Sequence, residues 1–168
     1  VDIDSSRISI DQLHVTRLEQ RLVIDGVASR NRGDSIRLTL DNFDLSPFSA
    51  FISKFGYDIS ALSNGYATVR SALHNPQIDA RIDLSQIDVN GIEAPPQLIT
   101  SNWDFEKNRA RVIIRDANSR DTVIRGYYQP QGNRYYAKAN LKGVKMELLQ
   151  PFLTGIVSDI QGEASAEA

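Results

Sequence analysis

The sequence has no cysteine, which excludes disulfides, thiol catalysis and cysteine-ligated zinc or iron–sulfur sites. Histidine occurs only twice, and tryptophan and methionine once each. No apolar run reaches the roughly 18 residues of a membrane-spanning helix, and no signal-peptide pattern opens the chain. If the protein works at a membrane, its anchor is expected outside this piece. Charge of one sign is also lacking: 19 basic against 21 acidic side chains leave a net charge of −2. That balance offers no overall basic field and argues against nucleic acid as a partner. Lysine and glutamate, the usual residues of helix surfaces, are scarce: 5 Lys against 14 Arg, and 6 Glu against 15 Asp. Aspartate favours turns and is a poor helix former, so the composition leans towards β structure.

What is present is period-2 alternation. Ile78-Asp79-Ala80-Arg81-Ile82-Asp83-Leu84 sets apolar side chains on one face and charged ones on the other, as in a half-buried strand. The pattern returns at 7–10, 36–40, 67–70, 99–105, 110–114 and 135–141, with weaker segments around Val15, Leu22 to Ile24 and Val123-Ile124. Turn signals separate them, among them Asn31-Arg32-Gly33-Asp34, Asn64-Gly65, Asn75-Pro76, Asn90-Gly91 and Pro130-Gln131-Gly132-Asn133. About ten strands joined by short turns predict a largely antiparallel meander.

One helix is expected near 46–56. Ser46 suits an N-cap, Pro47 the first turn, Phe48, Phe51, Ile52 and Phe55 form an apolar stripe, and Gly56 stops it. A weaker helix is expected near 145–154, interrupted by Pro151. Three short matches recur in the same order about 100 residues apart: 23–26 with 123–126, 45–48 with 149–152, and 65–67 with 162–164. They predict a tandem unit of strands plus one helix. The chain then reads as an excerpt of an array: residues 1–64 end one unit, 65–161 form the next, and 162–168 begin another.

Chemistry is hard to place on this pattern. His14 and His74 lie 60 residues apart among strand and turn residues, which suits background histidines better than a metal pair. Asp2 with Asp4, and Asp79 with Asp83, each share a strand face and would serve a glycosidase or a calcium site; alternation with apolar residues points instead to a solvated face. Arg32-Gly33-Asp34 spells a receptor-binding tripeptide but is also an ordinary turn sequence. Tyr57, Tyr66, Trp103, Tyr127, Tyr128, Tyr135 and Tyr136 would suit a carbohydrate platform, yet strands favour aromatics anyway. No nucleophile elbow, phosphate loop, dinucleotide fingerprint or His-Glu-x-x-His occurs. The expectation is a non-enzyme with no cofactor and no metal site.

An open sheet with an apolar side must cover it. Either it curls onto itself around a dry core, or it curves into a trough that a client fills. Candidates for the apolar side are Ile36, Leu38, Leu40, Val69, Ile78, Ile82, Leu84, Ile99, Trp103, Phe105, Val112, Ile114, Tyr135 and Leu141.

The succession of strand, Leu-x-Pro-Phe, loop and Gly-x-Ala strand resembles the TamB/AsmA-like family of bacterial envelope proteins. The stretches that carry it are 149–153 with 160–162, and 65–69 with 76–82. Ser71 departs from the pattern, which carries glycine there. The resemblance implies a mainly β, curved, largely antiparallel open sheet, a β-taco or half-pipe with an apolar concave face and one or two short helices. It also implies a periplasmic location, an inner-membrane anchor elsewhere in the full-length protein, and an outer-membrane barrel partner. The implied cargo is phospholipid acyl chains or an unfolded β-rich client. The alternative expectation is an extracellular β module that binds carbohydrate or a receptor.

Overall fold

The computed structural model describes residues 2–4, 7–53, 57–132 and 134–140. The fold is mainly β, a single open antiparallel sheet that is not closed. Eleven strands appear in chain order: β1 (Asp2–Asp4), β2 (Arg7–Arg17), β3 (Gln20–Ser29), β4 (Ser35–Asp44), β5 (Ile59–Arg70), β6 (Gln77–Val89), β7 (Ile92–Ala94), β8 (Gln97–Asp104), β9 (Arg109–Asp116), β10 (Thr122–Gln129) and β11 (Arg134–Ala139). Ten run side by side in sequence order, and the short β7 pairs only with β6. The predicted meander is therefore the observed one.

Two expected strands near Arg7 and Val15 are one strand, β2, and the reason lies in its bulge. Two residues, Asp11 and Gln12, oppose the single Asp25 between the pairs Ile10↔Gly26 and Leu13↔Ile24. The same insertion recurs at Asp41-Asn42 in β4 and at Gln86-Ile87 in β6. Gln12, Asn42 and Gln86 each take a positive φ, between 42° and 49°. A bulge moves the alternation on by one residue, so a strand that continues looks like one that ends.

Asn64-Gly65, expected as a turn, lies inside β5. Asn64 Oδ1 accepts the N–H of Asn42 at 2.8 Å, and Asp25 Oδ1 accepts the N–H of Gln12 at 3.3 Å. The bulge amides of Gln12 and Asn42 are thus capped by the residue just before a strand glycine, Gly26 or Gly65. At the matching Arg125-Gly126 there is no such cap, and the β9–β10 register runs unbroken from Ala110 to Ile114. The unit boundary expected after residue 64 also falls inside β5.

The expected helix begins where the sequence placed it. A 3₁₀ turn over Ser46–Phe48 leads into a single helical turn, α1 (Ser49–Ile52), and Phe55 and Gly56 lie outside the described residues. Leu45, not Ser46, occupies the N-cap position. Asp44 holds the start instead: its Oδ1 accepts the N–H of Ser46 at 2.8 Å and the Ser46 hydroxyl at 2.5 Å. These hydrogen bonds, the hydroxyl first, hold the Asp44 carboxyl below the usual carboxylate range. Leu45 N–H donates to Ala61 O at 2.9 Å, tying the segment to β5. Tyr57, Ala61 and Ile87 are buried at this end of the sheet. The second expected helix, 145–154, lies outside the described residues.

Candidate functional site

Residues paired across an antiparallel sheet stand on the same side of it. The register therefore assembles side chains into rows across the strands. One row runs Val15, Leu22, Leu40, Gly65, Ile82, Ile99, Ile114, Ile124 and Ala139, crossing nine strands with eight apolar side chains and no polar one. A parallel row passes through Ile24, Leu38, Ala67, Ala80, Ser101 and Val112. Ile36, Val69 and Ile78 form a third, while Trp103, Ala110, Tyr128 and Tyr135 form a fourth at the C-terminal strands. Leu84, opposite Ser63, shares the same side.

Twelve of the fourteen candidate residues thus fall on one side of the sheet. Phe105 does not: it sits in the turn after β8 and is 66% exposed. Its place in the alternation is right, but β8 ends at Asp104, so the chain has already left the sheet. Leu141 lies outside the described residues. Of the twelve, only Trp103 is buried, at 6% exposure, paired with the small Ala110; Tyr135 is 83% exposed and the others are half-buried. A closed sandwich would bury most of them. Trp103 Nε1 is buried without a hydrogen-bond partner among the described residues.

The other side is polar. Asp79 there is ion-paired to Arg70 through one oxygen and accepts the Trp103 N–H through the other at 3.1 Å. Both oxygens are committed to joining β5, β6 and β8, which makes Asp79 a structural residue. Asp83, expected beside it as the second acid, is exposed and lies 4.0 Å from Arg81. Replacing Asp79 with alanine is expected to cost about 1–2 kcal/mol, the worth of a charge-assisted hydrogen bond plus a half-exposed ion pair. Urea unfolding of Asp79→Ala against Asp83→Ala measures it, with the second variant changing by less than about 0.5 kcal/mol.

The remaining motifs disperse. His14 in β2 sits 3.5 Å from Arg21, whereas His74 is in the turn after β5, where its N–H donates to Ser71 O at 3.1 Å. Among the described residues no three His, Asp or Glu side chains gather as a metal site would require. In Arg32-Gly33-Asp34 the carboxylate is engaged: Ser29 Oγ donates to Asp34 Oδ2 at 2.8 Å, and Ser29 Oγ also accepts the Asn31 N–H. Among the aromatics, Tyr127 lies between the Arg109 guanidinium, 4.3 Å from the ring centre, and Tyr136, stacked at 5.5 Å. Its faces are taken by the protein itself.

Ser71, where the resemblance implies glycine, has φ +51°, a conformation glycine adopts freely. The serine is 2% exposed, and its hydroxyl donates to Arg30 O at 3.0 Å. That bond ties the turn after β5 to the loop after β3 and offsets the backbone cost.

Comparison with family models, with curated proteins and with solved structures gives no match.

Proposed function

We propose that this chain is a non-catalytic β-rich segment of a periplasm-spanning translocation and assembly module of the TamB/AsmA-like kind. Its apolar side takes up phospholipid acyl chains, or a β-rich client, on the way between inner and outer membrane. Anchoring in the inner membrane and contact with an outer-membrane barrel belong to other parts of the full-length protein in this reading.

The observation that carries the reading is a row across nine strands of an open sheet that holds eight apolar side chains and no polar one. At about 4.8 Å per strand the row is about 40 Å long, more than the roughly 30 Å of a bilayer's hydrocarbon core. It offers more length than a single acyl chain needs. Burying each CH₂ there contributes about 0.8 kcal/mol, with no bond made or broken. The bulges at Gln12, Asn42 and Gln86 support a trough, because bulges bend a sheet locally.

The test is native mass spectrometry and organic extraction of the chain after bacterial expression. Phospholipid is expected at about one or two molecules per chain, since each apolar row can hold an extended tail. A monodisperse, folded protein free of lipid and of bound polypeptide would overturn the reading.

A further inference from the structure

The polar side of the sheet is not uniform in charge. On β3 to β6 each outward arginine has an acid to match. Arg21 stands opposite Asp41, Arg37 opposite Asp25, and Arg70 and Arg81 are paired with Asp79 and Asp83. On β9 to β11 the same side carries Arg109, Arg111, Arg115, Arg125, Arg134 and Lys138. One carboxylate answers them: Asp104, 3.7 Å from Arg109 and 3.2 Å from Arg111.

The other four cations have no ion pair among the described residues. Arg125 and Lys138 face each other directly across β10 and β11, an arrangement that repels. Arg115 faces Leu98 and Thr122, and Arg134 faces Gln129. The nearby Asp116 turns back on its own loop, where it accepts the N–H groups of Asn118 and Ser119 at 2.8 Å each. A chain of net charge −2 thus concentrates uncompensated positive charge on three strands.

We propose that this face of β9–β11 docks on the phosphate headgroups of an anionic bilayer surface. Five of the six cations are arginines, whose planar fork binds phosphate oxygens in pairs. They are interleaved with Tyr127 and Tyr136, and tyrosine, with its apolar ring and polar tip, settles at the headgroup level. A single-stranded nucleic acid needs free aromatic faces for stacking, and those of Tyr127 are covered by Arg109 and Tyr136. An acidic polypeptide would match the charge but has no use for the tyrosines. The docking face lies on the opposite side of the sheet from the apolar rows, so this inference and the acyl-chain reading can fail separately.

The experiment is co-sedimentation of the 168-residue chain with vesicles of phosphatidylglycerol in phosphatidylcholine, and with phosphatidylcholine alone. Binding is expected to the anionic vesicles only, and to be largely lost at about 0.5 M salt. Arg125→Glu with Lys138→Glu is expected to weaken it at least about tenfold, and Arg81→Glu by less than about twofold. Circular dichroism checks the fold. If the double reversal fails to fold, Arg134→Gln with Lys138→Gln, both exposed on β11, is expected to weaken binding about fivefold or more. Equal binding to phosphatidylcholine vesicles overturns the proposal, as does wild-type binding by a folded patch variant. Capture of polyglutamate or an oligonucleotide without vesicle binding overturns it too.

Discussion

Gly65→Ala is expected to destabilise the protein by about 3 kcal/mol or more. Gly65 has φ +134°, which a residue with a side chain adopts only under strain. A Cβ placed there comes within 2.1 Å of Arg81 O, a backbone atom of the next strand. The oxygen cannot move aside as a side chain would, because β6 is held in register against both β5 and β8. The substitution therefore has to open the β5–β6 pairing or shift it. It would also lengthen the gap beside Asn42, whose N–H is capped by the neighbouring Asn64.

Gly26, with φ +114° and Ser35 O at 2.1 Å from its missing Cβ, should behave alike. Gly91 is the control. It too has a positive φ, +79°, but nothing lies within 4 Å of where a Cβ would stand. Gly91→Ala should therefore cost only the backbone part, about 1 kcal/mol. Urea midpoints for the two variants separate clash from conformation. Equal losses for Gly65→Ala and Gly91→Ala would show that the close approach to Arg81 is relieved cheaply.

Ile82→Asp is expected to empty the apolar side of lipid while leaving the sheet folded. Ile82 sits mid-row between Gly65 and Ile99, half-buried by neighbours on its own face. With only part of its surface covered, an aspartate there keeps contact with water when the face is empty. Under an acyl chain the same carboxylate is desolvated, which costs several kcal/mol, and each 1.36 kcal/mol is tenfold in affinity. Co-purified phospholipid should fall more than about tenfold. Val112→Asp, two strands away in the adjacent row, should do the same, whereas Arg81→Ala on the polar side should not. Wild-type lipid content in a folded Ile82→Asp protein would place the occupant elsewhere.

The fold class was open to reading from alternation alone because a pleated strand repeats every two residues, and solvent and lipid or core select opposite side chains at each step. From Ile78 to Leu84 that selection is so regular that face, strand and register follow together. The same logic placed twelve groove candidates on one side of the sheet. It failed at Phe105, where the alternation outlasts the strand, and at Asn64-Gly65, where a turn-forming pair serves as a bulge cap in mid-strand. In both cases the deciding contact is with another strand, and local propensity does not contain it.

The helix near Ser46 was legible as an initiation signal, Leu-Ser-Pro, but not in its cap. Asp44 took the capping role because its carboxylate reaches two donors on Ser46 at once. The sequence by itself determined that this protein is a meander of half-buried strands with one apolar and one charged face. Only the tertiary structure decided which charges meet. Arginines are opposed one to one by aspartates on β3–β6, yet four of the six cations on that side of β9–β11 have no ion pair among the described residues. Net charge is a sum over the chain, whereas an electrostatic surface depends on register, and register is set between strands.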